Sequence, residues 1–152
     1  MPLKDRLQAD LTAAMKSQDE LVRATLRMVL AAVGTEEVAG KAARELSDDE
    51  VLKVVAREAK KRREAAAAFR SGGATERAER ELAEGAVLDA YLPQQLSDPE
   101  LAALVAAAVA HTGAAGPQAM GAVMKVVGPR VSGRAEGGRV AAAVRAALAG
   151  TG

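Results

Sequence analysis

An all-α protein is predicted, and three observations predict it. Alanine, the strongest helix former, supplies about a quarter of the chain. Strand-favouring residues other than Val are nearly missing: there is no Ile and no Trp, and Phe69 and Tyr91 are the sole aromatics. Apolar residues recur at three- and four-residue spacings between clear start and stop signals. The 152 residues suffice for one ordinary domain or two small ones. The expected architecture is an N-terminal helical domain of about four helices over 1–95, then a small three-helix domain over 96–152.

The first helix is expected from about Leu3 to Lys16, on a stripe of Leu3, Leu7, Leu11 and Met15. Ser17-Gln18-Asp19 breaks it, and Asp19 suits the N-cap of a second helix carrying Leu21, Ala24, Thr25, Met28, Val29, Ala32 and Val33. The segment Thr35 to Glu45, bracketed by Gly34 and Gly40, is open between frayed and helical. Ser47-Asp48-Asp49-Glu50 is a capping box that starts a third helix, with Leu52, Val55, Ala59, Ala66 and Phe69 on its stripe and Arg62 among them. Gly72-Gly73 ends it. Thr75 suits the cap of a fourth helix, with Ala78, Leu82, Gly85, Leu88 or Asp89, and Leu92 on its stripe, stopped by Pro93. The short Gly-Gly turn makes helices three and four a hairpin, which sets Arg62 and Arg63 level with Glu81 and Glu84 for ion pairing, Gly85 allowing close approach.

Tyr91-Leu92-Pro93-Gln94-Gln95-Leu96 reads as a linker, and Ser97-Asp98-Pro99-Glu100 as a second capping box. The fifth helix runs to about His111 and ends at Gly113. Pro117 opens a sixth helix with Met120, Val123, Met124 and Val127 inward, and Gly128-Pro129 closes it. A loop from Arg130 to Gly138 leads to a last helix with Val140, Val144 and Leu148.

Composition excludes several function classes. Without Cys, disulfides, thiolate zinc sites and cysteine nucleophiles are ruled out, and with His111 the one histidine there is no histidine-cluster metal site. Two aromatics cannot build a base-stacking platform for single strands. No apolar run spans a membrane, and the polar start Met1-Pro2-Leu3-Lys4-Asp5 is not a secretory signal, so a cytoplasmic protein is expected. Net charge is +1 and decides nothing as a total. Its distribution is more informative. Residues 97–152 carry five basic groups, Lys125, Arg130, Arg134, Arg139 and Arg145, against Asp98, Glu100 and Glu136.

Each chemical motif has a plain structural competitor. Lys60-Lys61-Arg62-Arg63 spans most of a helix circumference, so solvated positions and an interhelical pair explain it better than a nucleic-acid stripe; Lys53, Arg57 and Lys60 share one edge. Gly128 to Ala135 has the glycine spacing of a P-loop but holds Arg134-Ala135 where Lys-Ser/Thr belongs, so a nucleoside triphosphate site is rejected. Backbone N–H groups there, with Arg134 and Arg139, suit a phosphate oxygen; a tight turn that needs Gly133 explains the same residues. His111 fits the last turn of a helix. Glu79, Glu81 and Glu84 read as ion-pair partners before they read as a metal site. Nothing supplies nucleophile, base and oxyanion hole together, so no catalytic residue, metal or cofactor is assigned.

Several segments in this order resemble the GatB/YqeY family: Thr25-Leu26-Arg27-Met28-Val29-Leu30-Ala31-Ala32-Val33, Arg62-Arg63-Glu64, Tyr91-Leu92-Pro93-Gln94-Gln95-Leu96-Ser97, Met120-Gly121-Ala122-Val123-Met124-Lys125, and Gly133-Arg134-Ala135 with Gly137 and Val140. The resemblance implies a larger N-terminal helical domain and a small three-helix domain. The small one is similar to the tail of the GatB component of the tRNA-dependent amidotransferase, which amidates Glu-tRNA(Gln) or Asp-tRNA(Asn). In that enzyme the tail touches the tRNA body, and the chemistry sits in a domain this chain lacks. A carbon–nitrogen ligase activity with glutamine as amide donor is implied only by kinship. The family's turn usually has Asp or Asn where this chain has Glu136, a poorer cap.

The expectation is a non-catalytic tRNA-binding accessory protein acting in translation. Lys125, Arg130, Gly133, Arg134, Arg139 and Arg145 form its nucleic-acid surface, the cations converging on an open face largely free of anions. The alternative is a protein-interaction module that docks on amidotransferase subunits, an aminoacyl-tRNA synthetase or another enzyme without RNA. A true amidotransferase or ligase comes third.

Overall fold

The computed structural model describes residues 1–150. Among them are α1 (Leu3–Ser17), α2 (Glu20–Glu37), α3 (Asp48–Ser71), α4 (Thr75–Asp89), α5 (Asp98–Thr112), a 3-10 turn (Pro117–Ala119), α6 (Met120–Val131) and α7 (Gly137–Ala149), with no strand. The all-α expectation holds. The chain divides into two compact units, Met1–Leu92 and a second that begins at Pro93. The last two positions of the expected 96–152 domain lie outside the described residues.

The start signals act as their chemistry requires. The Asp19 carboxylate accepts from Val22 N–H, and both capping boxes close: the Ser47 and Ser97 hydroxyls accept from the backbone N–H of Glu50 and Glu100, whose carboxylates accept in return from the Ser47 and Ser97 N–H. Gln18, in the left-handed region at φ 58°, closes α1 by donating its N–H to the last free carbonyls.

In the first unit, α1 and α2 form one hairpin and α3 and α4 another. Leu7, Leu26, Val29, Val33, Val51, Val54, Val55, Ala59 and Leu88 fill the space between them. The i, i+4 stripe of α1 does not face this core along its whole length. Each four-residue step overshoots a full turn by about 40°, so by Met15 the stripe has rotated outward. Met15 is 47% exposed, and Ala14 is buried in its place. On α3, Val51 and Val54 are inside in place of the expected Leu52, and Leu82 of α4 is 40% exposed.

Arg62 holds α3 to α4. Its Nη1 lies 3.3 Å from Glu81 Oε2 and 3.7 Å from Glu84 Oε2, with all three side chains mostly covered. The contact is an ion pair by distance only: Arg62 Nε and Glu81 Oε2 are buried without a hydrogen bond of normal geometry. Arg63 stands about 100° further round the helix and pairs with Asp89, not with Glu81 or Glu84. Arg80 extends the network to α2, bonding Glu84 on its own helix and Glu20 bidentately. At the end of the unit, Tyr91 donates to Asp10, and the Arg6 guanidinium lies 4.7 Å from its ring centroid. Burial, then the Asp10 hydrogen bond, pushes the Tyr91 phenol up.

The second unit wraps α5, α6 and α7 around Leu96, Leu101, Val105, Ala108, Val123, Val127, Val131, Val140, Val144 and Leu148. Two boundaries differ from expectation. Pro117 opens the 3-10 turn, and α6 begins at Met120. Gly128-Pro129 does not stop α6, which runs to Val131 with Pro129 inside it. Proline in the last turn costs one helical hydrogen bond, and continuing the helix buries Val131 to 3% exposure. In the first unit, Thr75 is the first helical residue of α4 and not its cap; Ala74 stands at that position, without a side-chain hydrogen bond.

Two measurements test these contacts. A Cβ at Gly85 would sit 3.6 Å from the Arg62 Cβ, ordinary contact, and its backbone is helical. Gly85→Ala should therefore raise stability in urea unfolding by about 0.5–1 kcal/mol, while Gly85→Leu, which must force the helices apart, should lower it. The Arg44 guanidinium, then the Ser47 N–H, pulls the Glu50 carboxyl from 4.5 down to about 2. The unfolded chain then binds more protons between these values, so this pairing stabilises fully above about pH 4.5 and is lost as pH falls towards 2. Glu50→Gln should lower Tm at pH 6, and its melting curve should merge with that of the wild type near pH 2.

Candidate nucleic-acid interface

The N-terminal basic run is neutralised internally. Lys60 lies 3.9 Å from Glu64, Lys61 is 3.6 Å from the buried Glu58, Arg62 is paired as above, and Arg63 meets Asp89. Arg57, on the edge shared with Lys53 and Lys60, pairs with Glu36 at 3.1 Å. These cations stabilise helix contacts and leave little field for a polyanion.

In the C-terminal unit the cations fall into two sets. Lys125 and Arg130 on α6 and Arg145 on α7 are exposed and make no ion pair or side-chain hydrogen bond with the described residues. Lys125 points away from the inward ridge of Val123 and Val127. Arg130 stands about 140° round the axis from it, on the flank of that ridge.

Arg134 and Arg139 form the second set, and they are engaged. The turn after α6 holds Gly133 at φ +74°, a left-handed conformation that only glycine adopts without strain. The turn receives the linker. Leu96 N–H donates to the Arg134 carbonyl at 2.7 Å, Gln95 Nε2 to the Gly133 carbonyl at 2.9 Å, and Arg134 Nε to the Gln94 carbonyl at 3.3 Å. Arg139, in the first turn of α7, completes the clamp. Its Nη2 donates to the Leu96 carbonyl at 3.0 Å and to Asp98 Oδ1 at 2.7 Å. Between these ties the Leu96 side chain is 4% exposed and belongs to the core.

The expected convergence of five free cations is therefore corrected. Gly133, Arg134 and Arg139 come together around the segment 94–98, and Arg139 is paired with Asp98; Lys125, Arg130 and Arg145 are spread over two helices. The reason is chemical: the linker exposes backbone carbonyls beside α7, and a guanidinium is the donor that can serve a carbonyl and a carboxylate at once. Glu100 is held below the usual carboxylate range by Ser97, with the Arg134 charge adding to the effect. Glu136 caps α7 in an extended conformation without a side-chain cap hydrogen bond, as expected of a poorer cap. In the sequence Asp98 reads only as a first-turn acid, and Leu96 only as linker. The apolar Leu96 next to a capping box is the available signal, since a hydrophobic residue just before an N-cap tends to be packed.

The sequence matches the family described as Yqey-like protein over residues 4–148. The chain belongs to this family. No curated protein matches the chain. Among the described residues of this YqeY-like chain, no three of His, Cys, Asp or Glu stand together as a metal site, and no helix is long and apolar enough to cross a membrane.

Arg139→Ala removes the donor to a carbonyl at the edge of the core. The loss should be about 1–2 kcal/mol of stability, with faster amide exchange at Leu96 by mass spectrometry. Arg134→Ala should leave Leu96 protected, because the acceptor there is the main-chain carbonyl of residue 134.

Proposed function

We propose that this YqeY-like chain is a non-catalytic accessory protein related to the tRNA-dependent amidotransferase, and that its C-terminal unit contacts tRNA through phosphate and shape. One observation carries the reading. In a chain whose other basic run is matched carboxylate by carboxylate, Lys125, Arg130 and Arg145 have no anionic partner among the described residues. Charges spread over two helices suit a contact that follows a curved RNA backbone, not a pocket for one phosphate. With Phe69 and Tyr91 both in the first unit, base stacking has no role in the second, and few bases would be read. The carbon–nitrogen ligase chemistry of the amidotransferase, with glutamine as amide donor, would reside in a partner.

A second reading has its own support. The outer face of α5 presents Ala102, Ala103, Ala106, Ala107 and Ala110, and no charged residue stands between Glu100 and His111. Such a face suits a protein partner such as an amidotransferase component or a synthetase. Pull-down from lysate with and without nuclease separates the two: loss of all partners with nuclease favours RNA, and a retained protein favours docking.

The direct test is tRNA affinity across a salt series. The Lys125/Arg130/Arg145→Ala triple variant should bind more weakly and flatten the log–log salt slope by about 2–3, as expected for three lost phosphate contacts. Equal affinity and slope would remove this assignment.

A further inference from the structure

Arg139 differs from the other C-terminal cations in having two partners of opposite character on one nitrogen. The Leu96 carbonyl belongs to a residue that is 4% exposed and fixed by its own N–H bond to the Arg134 carbonyl. That acceptor is fixed in the fold and set at the edge of the core. The Asp98 side chain is 90% exposed, bound through one oxygen at 2.7 Å, and its Arg139 partner is 36% exposed. Asp98 is thus a replaceable anion on a guanidinium that the backbone already holds in place. Its carboxylate presents one charged oxygen to Arg139, as the non-bridging oxygen of a phosphodiester would.

We infer that Arg139 is a latent phosphate site kept occupied by Asp98, and that binding the backbone of RNA exchanges the carboxylate for a phosphate. This rests on the tRNA reading above and adds its regulation. The Leu96 tie keeps the guanidinium aimed in both states, so no side-chain search follows release of Asp98. Exposed ion pairs are weak, and the negative field of an approaching polyanion weakens this one further, because Asp98 and the phosphate repel. The exchange makes no new ion pair in net terms; it gates one. A weak or small anion does not displace Asp98, whereas an array of phosphates also held by Lys125, Arg130 and Arg145 does, through effective concentration.

A double-mutant cycle on total tRNA at fixed salt tests this. Asp98→Asn removes the internal anion and keeps a helix-start residue; it should tighten binding about two- to fivefold, the size of an exposed pair that no longer has to be broken. In an Arg139→Gln background the same change should have no effect, because the site is gone. Helicity and Tm of all four proteins confirm that each is folded. An equal gain in both backgrounds means that Asp98 acts only through its general field, and no gain in either means that it gates nothing. Both results overturn the inference and leave tRNA binding standing. Failure of the wild type and of Asp98→Asn alike to bind tRNA overturns both. Binding by Asp98→Asn alone supports the gate.

Discussion

Small side chains constrain everything else in this protein. The largest fully buried side chains are Leu and Val, with Ala between them, and the two aromatics lie only partly inside. Valine and alanine pack closely but carry little shape, so a helix could slide by a residue against such a core at small cost. Polar contacts supply the missing register. Arg62 sits between α3 and α4, Arg80 ties α4 to α2, and Arg139 ties the start of α7 to the segment before α5. Each is an arginine with several directed donors, which suits it to fix geometry where apolar contacts leave it loose. The Arg62 pair, mostly covered on both sides, adds little net stability but excludes alternatives, since a slipped helix would strand a charge.

This division of labour explains what the sequence can tell. Helix starts are legible because capping is local chemistry: a serine three residues before a glutamate needs nothing from the rest of the chain, and both such boxes close in the structure. The Arg62 contact is legible because a Gly-Gly turn fixes the level at which two helices face each other. The facing of α1 is less so. A four-residue stripe rotates as it climbs, and which part of it meets the core depends on where the partner helix crosses. The end of α6 is hidden because Pro129 taken alone signals a stop, and only the fold reveals the burial that Val131 gains two residues on.

The candidate site is the least legible part, for a physical reason. Counting charge along the chain shows an excess of cations after residue 97, and the count is right. It does not show which of them are free. Arg139 and Asp98 are 41 residues apart in sequence, and only folding puts them 2.7 Å apart. Charge excess is a one-dimensional property, and pairing is a three-dimensional one. Arg134 shows the same limit: its backbone and side chain both serve the linker.

On the proposed reading, the same pairing gives the two sets of cations different tasks. A cation with no internal partner attracts a polyanion at long range and sets the salt dependence of encounter. A cation held by a part-buried carbonyl and an exposed carboxylate contributes little net field while the carboxylate stays, so on that reading it adds to the final geometry more than to steering. A surface built from both kinds would, on this proposal, admit a ligand by charge and accept it by displacement. That is a way for an aromatic-poor helical unit to be selective for an extended array of phosphates over isolated ones, since selectivity then lies in the anion that must be moved aside and not in any base that must be read.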